Sequence, residues 1–311
     1  MKRLKDSTIG IIGAGAIGGF YAGQFHRVAP DSVRMLARGE RLARLRGHGL
    51  DVNGRHYEFK TIDTDSAGEA VDLLIVAVKD RHLDDAIQEM GSALGPETII
   101  LSLMNGVDSE ERIRAVYPSH HVLYGICVGI SAVRAGHSIT AQITGKLMFG
   151  EARNIPESEQ VGFVRGLFSE AGIAHEVPED MIKTIWWKFM VNVGINPLSA
   201  ILRAPYGVFQ RPGEARTLML DGMREVVGIA RAKGIPLDDA NIDEWCRLLD
   251  GISSPTGKTS MYQDVEAGRE TEIGMLSGKV QALGRESNIP TPINDMYLRL
   301  IRCLEPAGRD L

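Results

Sequence analysis

Through the first half of the chain, short apolar runs alternate with segments of helical period, and through the second half helical period alone remains. Apolar runs at 8–12, 32–37, 73–78 and 98–103 predict strands, while helices are expected from about Ala16, from Glu40 and from Leu83. Asn53-Gly54 marks a small hairpin. Strands that are apolar on both faces and separated by helices indicate a parallel sheet covered on each side. Between 122 and 150 the pattern turns β-rich and glycine-punctuated, with Arg134-Ala135-Gly136-His137 as a turn, so strands are added there before the chain leaves the sheet. Helices are then expected at 161–171, 181–195, 214–233, 239–249, 272–287 and 293–304, with Pro197, Gly234-Ile235-Pro236 and Asn288-Ile289-Pro290 as breakers. The predicted fold is α/β, a doubly wound domain over 1–170 followed by an all-helical domain over 171–311.

Gly13-Ala14-Gly15-Ala16-Ile17-Gly18 is a GxGxxG placed after an apolar strand and at the start of a helix, the context that makes this short pattern informative. Gly13 permits a tight turn, Gly15 lets a pyrophosphate approach the backbone, and Gly18 lets helix and strand pack closely. The free N–H groups of Ala16, Ile17 and the rest of that first turn, with the positive end of the helix dipole, suit an anion. The first domain is therefore read as Rossmann-type. At the end of the second strand an NAD site usually offers an acid to the ribose; here stands Arg38, whose planar fork matches a 2′-phosphate. Arg41 and Arg44 follow on the next helix, and NADP is the expected cofactor. A solvated arginine face, or a ribose contact from Glu40, is the competing reading.

Lys79 and Asn105 fall at the carboxyl ends of two further strands, the edge where doubly wound sheets bind ligands. A solvated lysine and an ordinary Asn-Gly turn would explain them equally well in isolation. In the second half, 186–197 is apolar except for Lys188, Asn192 and Asn196. At i, i+4 and i+8 these drift by only about 40° per step, so one face of a buried helix carries all three. Polar groups in such a place need partners, because each one buried alone costs on the order of several kcal/mol. A ligand site, a wet groove and a structural hydrogen-bond network all satisfy that need.

With 311 residues the chain is long enough for two cores, and 44% hydrophobic with 24% charged residues is ordinary globular usage. The net charge of -5 removes the global attraction that nucleic acid or anionic lipid would require, and no membrane partner is expected. Three scattered cysteines, Cys127, Cys246 and Cys303, form no disulfide framework, which points to a reducing, cytoplasmic setting. The eight histidines form no HxxxH or HxH pair beside carboxylates, so no metal is assigned. Lys2, Arg3 and Lys5 precede an uncharged stretch, but six glycines within 7–25 argue for a phosphate turn rather than a signal peptide.

Taken in order, these residues resemble the ketopantoate reductase (2-dehydropantoate 2-reductase) family along nearly the whole chain. The resemblance rests on the GxGxxG, Val78-Lys79, Asn105-Gly106, Trp187-Lys188 with Asn192, Ile195-Asn196-Pro197-Leu198, Ser260-Met261-Tyr262-Gln263-Asp264 and Arg269-Glu270-Thr271-Glu272-Ile273. It implies NADPH-dependent hydride transfer to 2-dehydropantoate, giving pantoate for pantothenate and coenzyme A synthesis. By the same resemblance Lys188 is the catalytic acid and Glu272 assists at the reacting hydroxyl. Asn192, Asn196 and Ser260 hold the substrate, and Lys79 and Asn105 lie near the cofactor. Two positions depart from the family pattern, since Gly257 and Tyr206 stand where asparagines are often found. A different small 2-keto acid, or an NADP-binding sensor without catalysis, are the alternatives. The terminal helices offer a surface for a homodimer.

Overall fold

The computed structural model describes residues 2–305. The chain divides after Met181 into two compact units. The first contains strands β1 (Ile9–Ile12), β2 (Val33–Ala37), β3 (Leu50–Val52), β4 (Arg55–Tyr57), β5 (Lys60–Asp63), β6 (Leu73–Val76), β7 (Ile99–Ser102), β8 (His121–Ala135), β9 (Ser138–Gly150) and β10 (His175–Glu176). Its helices are α1 (Ala16–Val28), α2 (Gly39–His48), α3 (Leu83–Met90), α4 (Ser109–Val116) and α5 (Glu159–Ala171). The second unit carries α6 (Met181–Leu202), α7 (Tyr206–Phe209), α8 (Glu214–Ala232), α9 (Asp239–Asp250), α10 (Ser260–Glu266), α11 (Lys279–Ser287) and α12 (Pro292–Leu304).

The strand order is β4-β3-β9-β8-β7-β6-β1-β2-β5, with β10 beside β9. From β5 to β7 every pairing is parallel. Every residue of β1, β6 and β7 is buried, which accounts for their unbroken apolar runs. One apolar cluster lies on each face: Phe25, Phe149 and Phe168 are fully buried in the first, and Leu83, Ile87, Met90 and Ile113 in the second. Chain order reverses at β1, which has β2 on one side and β6 on the other. Sheets of this kind bind ligands outside the carboxyl ends of the strands at such a reversal. β8 starts parallel to β7 and runs on into a long antiparallel hairpin with β9, in which Ala135 faces Ser138 across Gly136-His137.

Three expectations are corrected. The domain boundary moves from 170/171 to 181/182, because β10 pairs with β9 (His175 with Leu147) and Asn154 binds the carbonyl of Pro178 at 2.6 Å, so 171–181 stays with the sheet. α6 does not end at Ile195 but passes through Pro197 to Leu202. A proline removes one ladder hydrogen bond, yet Ile195, Leu198 and Ala200 are all buried, and packing holds the helix past that loss. The helix expected over 272–287 begins as a π-helical turn, Gly274–Gly278, before α11. Sequence periodicity also passed over β5, α4, α7 and α10: β5 is an edge strand with one buried residue, Ile62, and α7 and α10 span only four and seven residues.

Packing inside the second unit is close. A Cβ on Gly194 of α6 would lie 2.5 Å from Met223 Cγ of α8, so only glycine allows that approach. Glu225 of α8 accepts the main-chain N–H groups of Ile293 and Asn294 at 2.7 and 3.0 Å, satisfying donors that the first turn of α12 leaves open.

Candidate functional site

The glycine turn joins β1 to α1 at the reversal point. Gly13 has φ +107°, and a Cβ there would lie 2.4 Å from the carbonyl oxygen of Ala77. A Cβ on Gly18 would lie 2.0 Å from the carbonyl oxygen of Gly13. These two glycines are required by the protein itself. Gly15 differs, because its Cβ would meet nothing nearer than Ala77 O at 3.8 Å. Its space is open on the side where a ligand would lie. Gly15 is the N-cap of α1 and no side chain caps the helix, so the first-turn N–H groups, those of Ala16 and Ile17 among them, are left for an anion. This cradle fits a dinucleotide pyrophosphate.

Arg38 follows β2 directly, and its environment separates it from the other arginines nearby. Its Nε donates to Glu89 Oε1 at 3.1 Å, its Nη1 stands 3.5 Å from Asp65 Oδ1, and Arg41 Nη2 donates to the same Glu89 oxygen. Glu89, on α3, is 5% exposed and holds both forks, while the Arg38 side chain stays 45% exposed. The Glu89 charge pushes the Arg38 pKa further up. Arg34 instead pairs with Glu69 at 3.0 Å and Arg46 binds Thr61 at 3.0 Å. Arg38 and Arg41 are thus positioned rather than merely solvated, and the signal lay in a carboxylate on a distant helix that spacing does not reveal.

Lys79 and Asn105, both half-buried, follow the adjacent strands β6 and β7. Arg112 of α4 anchors the turn after Lys79 by donating to Asp80 and Asp84 at 2.8 and 2.6 Å. Beneath the Asn105-Gly106 turn, where Gly106 has φ +97°, Ser102, Ser109 and Glu110 form a buried chain with O···O distances of 2.8 and 2.9 Å. Burial pushes the Glu110 carboxyl up to about 7. The sequence reading missed this chain, since an acid in the first turn of a helix looks like dipole compensation.

In the second unit, α6 carries Lys188, Asn192 and Asn196 on one face as expected. Lys188 and Asn192 are half-buried, Asn196 is buried, and Phe189, Met190 and Val193 around them are buried. Trp187, beside Lys188, packs edge-on against Trp245 of α9 with centroids 6.4 Å apart. Ser260 opens α10 and is exposed. Its neighbour Thr259 caps α10 and donates to Ser199 at 3.2 Å, which brings the Ser260 turn to the Asn196 end of α6. Glu272 is half-buried, and its carbonyl accepts from Met275 and Leu276 as the π-helical turn begins. Such turns recur at functional sites.

Tyr206 and Gly257 stand against each other. Tyr206 N donates to Gly257 O at 3.0 Å, and a Cβ on Gly257 would lie 3.2 Å from Tyr206 Cδ2. Burial pushes the Tyr206 hydroxyl pKa up. Among the described residues no group of three or more His, Cys, Asp or Glu stands where it could hold a metal.

A glycine turn at the reversal of a doubly wound sheet, with a lysine-bearing polar stripe on a buried helix, defines the class of dinucleotide-dependent oxidoreductases. The chain belongs to the ketopantoate reductase PanE/ApbA family: residues 9–154 match that family and residues 180–305 match its C-terminal region. A 2-dehydropantoate 2-reductase of Pyrococcus horikoshii is 28% identical over 303 residues, covering 96% of this chain and 97% of the relative. The structure of a PanE/ApbA family ketopantoate reductase from Ralstonia eutropha superposes with a TM-score of 0.83 at 26% identity, over 96% of this chain and 98% of that one. D-mandelate dehydrogenase, solved with NADH and anilino(oxo)acetate, shares the fold with a TM-score of 0.85 at 23% identity, over 96% and 98% of the two chains.

Proposed function

We propose that this protein reduces 2-dehydropantoate (ketopantoate) to pantoate with NADPH, supplying pantothenate and coenzyme A synthesis. The observation that carries the reading is the stripe of Lys188, Asn192 and Asn196 on an otherwise apolar α6, in a chain whose first unit offers an open dinucleotide cradle. Bound NADPH supplies the hydride to the ketone carbon, leaving negative charge on the oxygen. The Lys188 ammonium stabilises that charge and gives the oxygen a proton, work that is stronger in a partly dry setting than in water. Glu272 orients the ammonium or holds the new hydroxyl. Asn192, Asn196 and Ser260 bind the carboxylate and polar side-chain groups of the substrate. Gly13, Gly15, Ala16, Ile17 and Gly18 receive the pyrophosphate, Arg38 receives the 2′-phosphate, and Lys79 and Asn105 lie along the cofactor. NADPH consumption with ketopantoate, set against analogues lacking its hydroxyl, tests the whole reading. Turnover with none of these keto acids, in a protein that binds NADPH, would favour the sensor.

Arg38→Ala is expected to weaken NADPH binding at least tenfold more than NADH binding, because a charge-assisted contact to the 2′-phosphate is lost. Fluorescence titration of both cofactors measures it, and equal losses would remove Arg38 from that role.

A second reading, a different 2-keto acid, is favoured by the Tyr206 ring lying against Gly257. An Asn side chain at 257 needs the space near Tyr206 Cδ2, so Tyr206→Asn and Gly257→Asn are introduced together. The double variant is expected to shift the ratio of kcat/KM values among keto acids by about 1–3 kcal/mol per restored contact. An unchanged profile would place both residues outside the pocket.

The proposed homodimer draws support from Met296, Leu300 and Leu304, spaced i, i+4, i+8 on α12 and all exposed. Among the described residues no helix is long and apolar enough to cross a membrane. The cytoplasmic setting is proposed from the sequence, in which Cys127, Cys246 and Cys303 are odd in number and too scattered for a disulfide framework.

A further inference from the structure

The β8–β9 hairpin brings a residue to the glycine turn that no motif announces. Arg134 lies one position before the end of β8 and faces Ile139 of β9. Ile139 is 1% exposed, and a Cβ on Gly19 would lie 2.3 Å from its Cδ1, so the hairpin end presses on the first turns of α1. Hydrogen bonds from Asp51 N to His137 O (3.0 Å) and from Asn53 N to Ile139 O (2.9 Å) fix the same end to β3. From this rigid mount Arg134 Nη1 donates to the carbonyl of Ala14, inside the GxGxxG, and Nε donates to Gly136 O at 2.8 Å. Among the described residues the hydrogen bonds and ion pairs of Arg134 include no carboxylate. A second cation stands near: partial burial and the charge of Arg44 both push the Arg134 pKa down. A guanidinium held beside an anion cradle, with no carboxylate among its partners in the described residues, gains most when an anion arrives between it and the helix.

We propose that Arg134 is a cofactor-binding residue that holds the dinucleotide pyrophosphate from the hairpin side, while the first turn of α1 holds it from the other. The proposal rests on the reading of the first unit as a dinucleotide site. Its geometry is specific, since the bond to Ala14 occupies Nη1 and leaves Nη2 as a donor at the turn. A contact to the pyrophosphate is common to NADPH and NADH, which separates Arg134 from Arg38.

The test is fluorescence titration of NADPH and NADH into the full chain and its Arg134→Ala, Arg134→Gln and Arg38→Ala variants, with Tm measured for each. Arg134→Ala and Arg134→Gln are both expected to weaken the two cofactors alike, by about 10- to 100-fold, with a shallower dependence on salt and a nearly unchanged Tm. Glutamine can still donate to Ala14, so binding retained in Arg134→Gln would make the residue a strut and overturn the proposal. Loss for NADPH alone would overturn it in favour of the 2′-phosphate, and so would unchanged binding in Arg134→Ala. If the parent protein binds neither cofactor while Tm shows it folded, the dinucleotide reading itself fails and the proposal falls with it.

Discussion

Lys188→Ala is expected to lower kcat by about 10² to 10⁴-fold while NADPH affinity stays close to that of the parent. Hydride arrival leaves an alkoxide whose charge must be met as it forms, and the proposed source of both cation and proton is the ammonium on α6. The residues around Lys188 explain why one side chain carries so large a share. Trp186, Phe189 and Val191 are buried and Trp187 is half-buried, so little water competes for the developing charge. The proposed cradle is built from residues of the first unit, Gly13, Gly15 and Gly18 among them, hence the cofactor binding expected to stay intact. Single-turnover kinetics with saturating NADPH measures the effect. A folded variant that binds NADPH and keeps near-normal kcat would make the stripe a structural hydrogen-bond network, and Tm would then be the quantity that falls.

The other large effect is expected at Gly15. Gly15→Val should fold normally and lose measurable binding of both NADPH and NADH. The backbone there has φ -71° and ψ -172°, an extended conformation open to valine. A Cβ meets only Ala77 O, at ordinary contact distance, so the substituted side chain projects into the space a pyrophosphate needs. Gly18→Ala makes the contrast, because its Cβ would lie 2.0 Å from Gly13 O and the fold must give way before any ligand is considered. Tm and cofactor titration on the two variants separate the roles: binding lost with Tm kept at Gly15, Tm lost at Gly18. Normal cofactor binding by folded Gly15→Val would remove the turn from the dinucleotide site.

What was legible in the sequence was whatever depends on neighbours along the chain. Apolar runs fix strands buried on both faces, the GxGxxG fixes a turn between strand and helix, and i, i+4, i+8 spacing puts Lys188, Asn192 and Asn196 on one helical face, as found in β1, β6, β7, α1 and α6. The exceptions follow the same rule. Pro197 reads as a stop because its own chemistry opposes helix, and only the burial of Ile195, Leu198 and Ala200 by residues elsewhere carries α6 onward. β10 is two residues long and invisible by period, yet its pairing with β9 keeps 171–181 in the first unit.

Tertiary structure alone decided which charges meet. Arg38 is 51 residues from Glu89, Arg134 is 120 from Ala14, and Tyr206 meets Gly257 across two intervening helices, α8 and α9. An ion pair or a close approach is a property of distance in space, which falls off within a few ångströms, whereas sequence patterns report only the few residues that share a helical turn or a pleat. The elements and their faces were therefore written locally. The partners of Arg38, the reach of Arg134 and the filling of position 257 by an aromatic ring became definite only when the sheet and the helices were assembled.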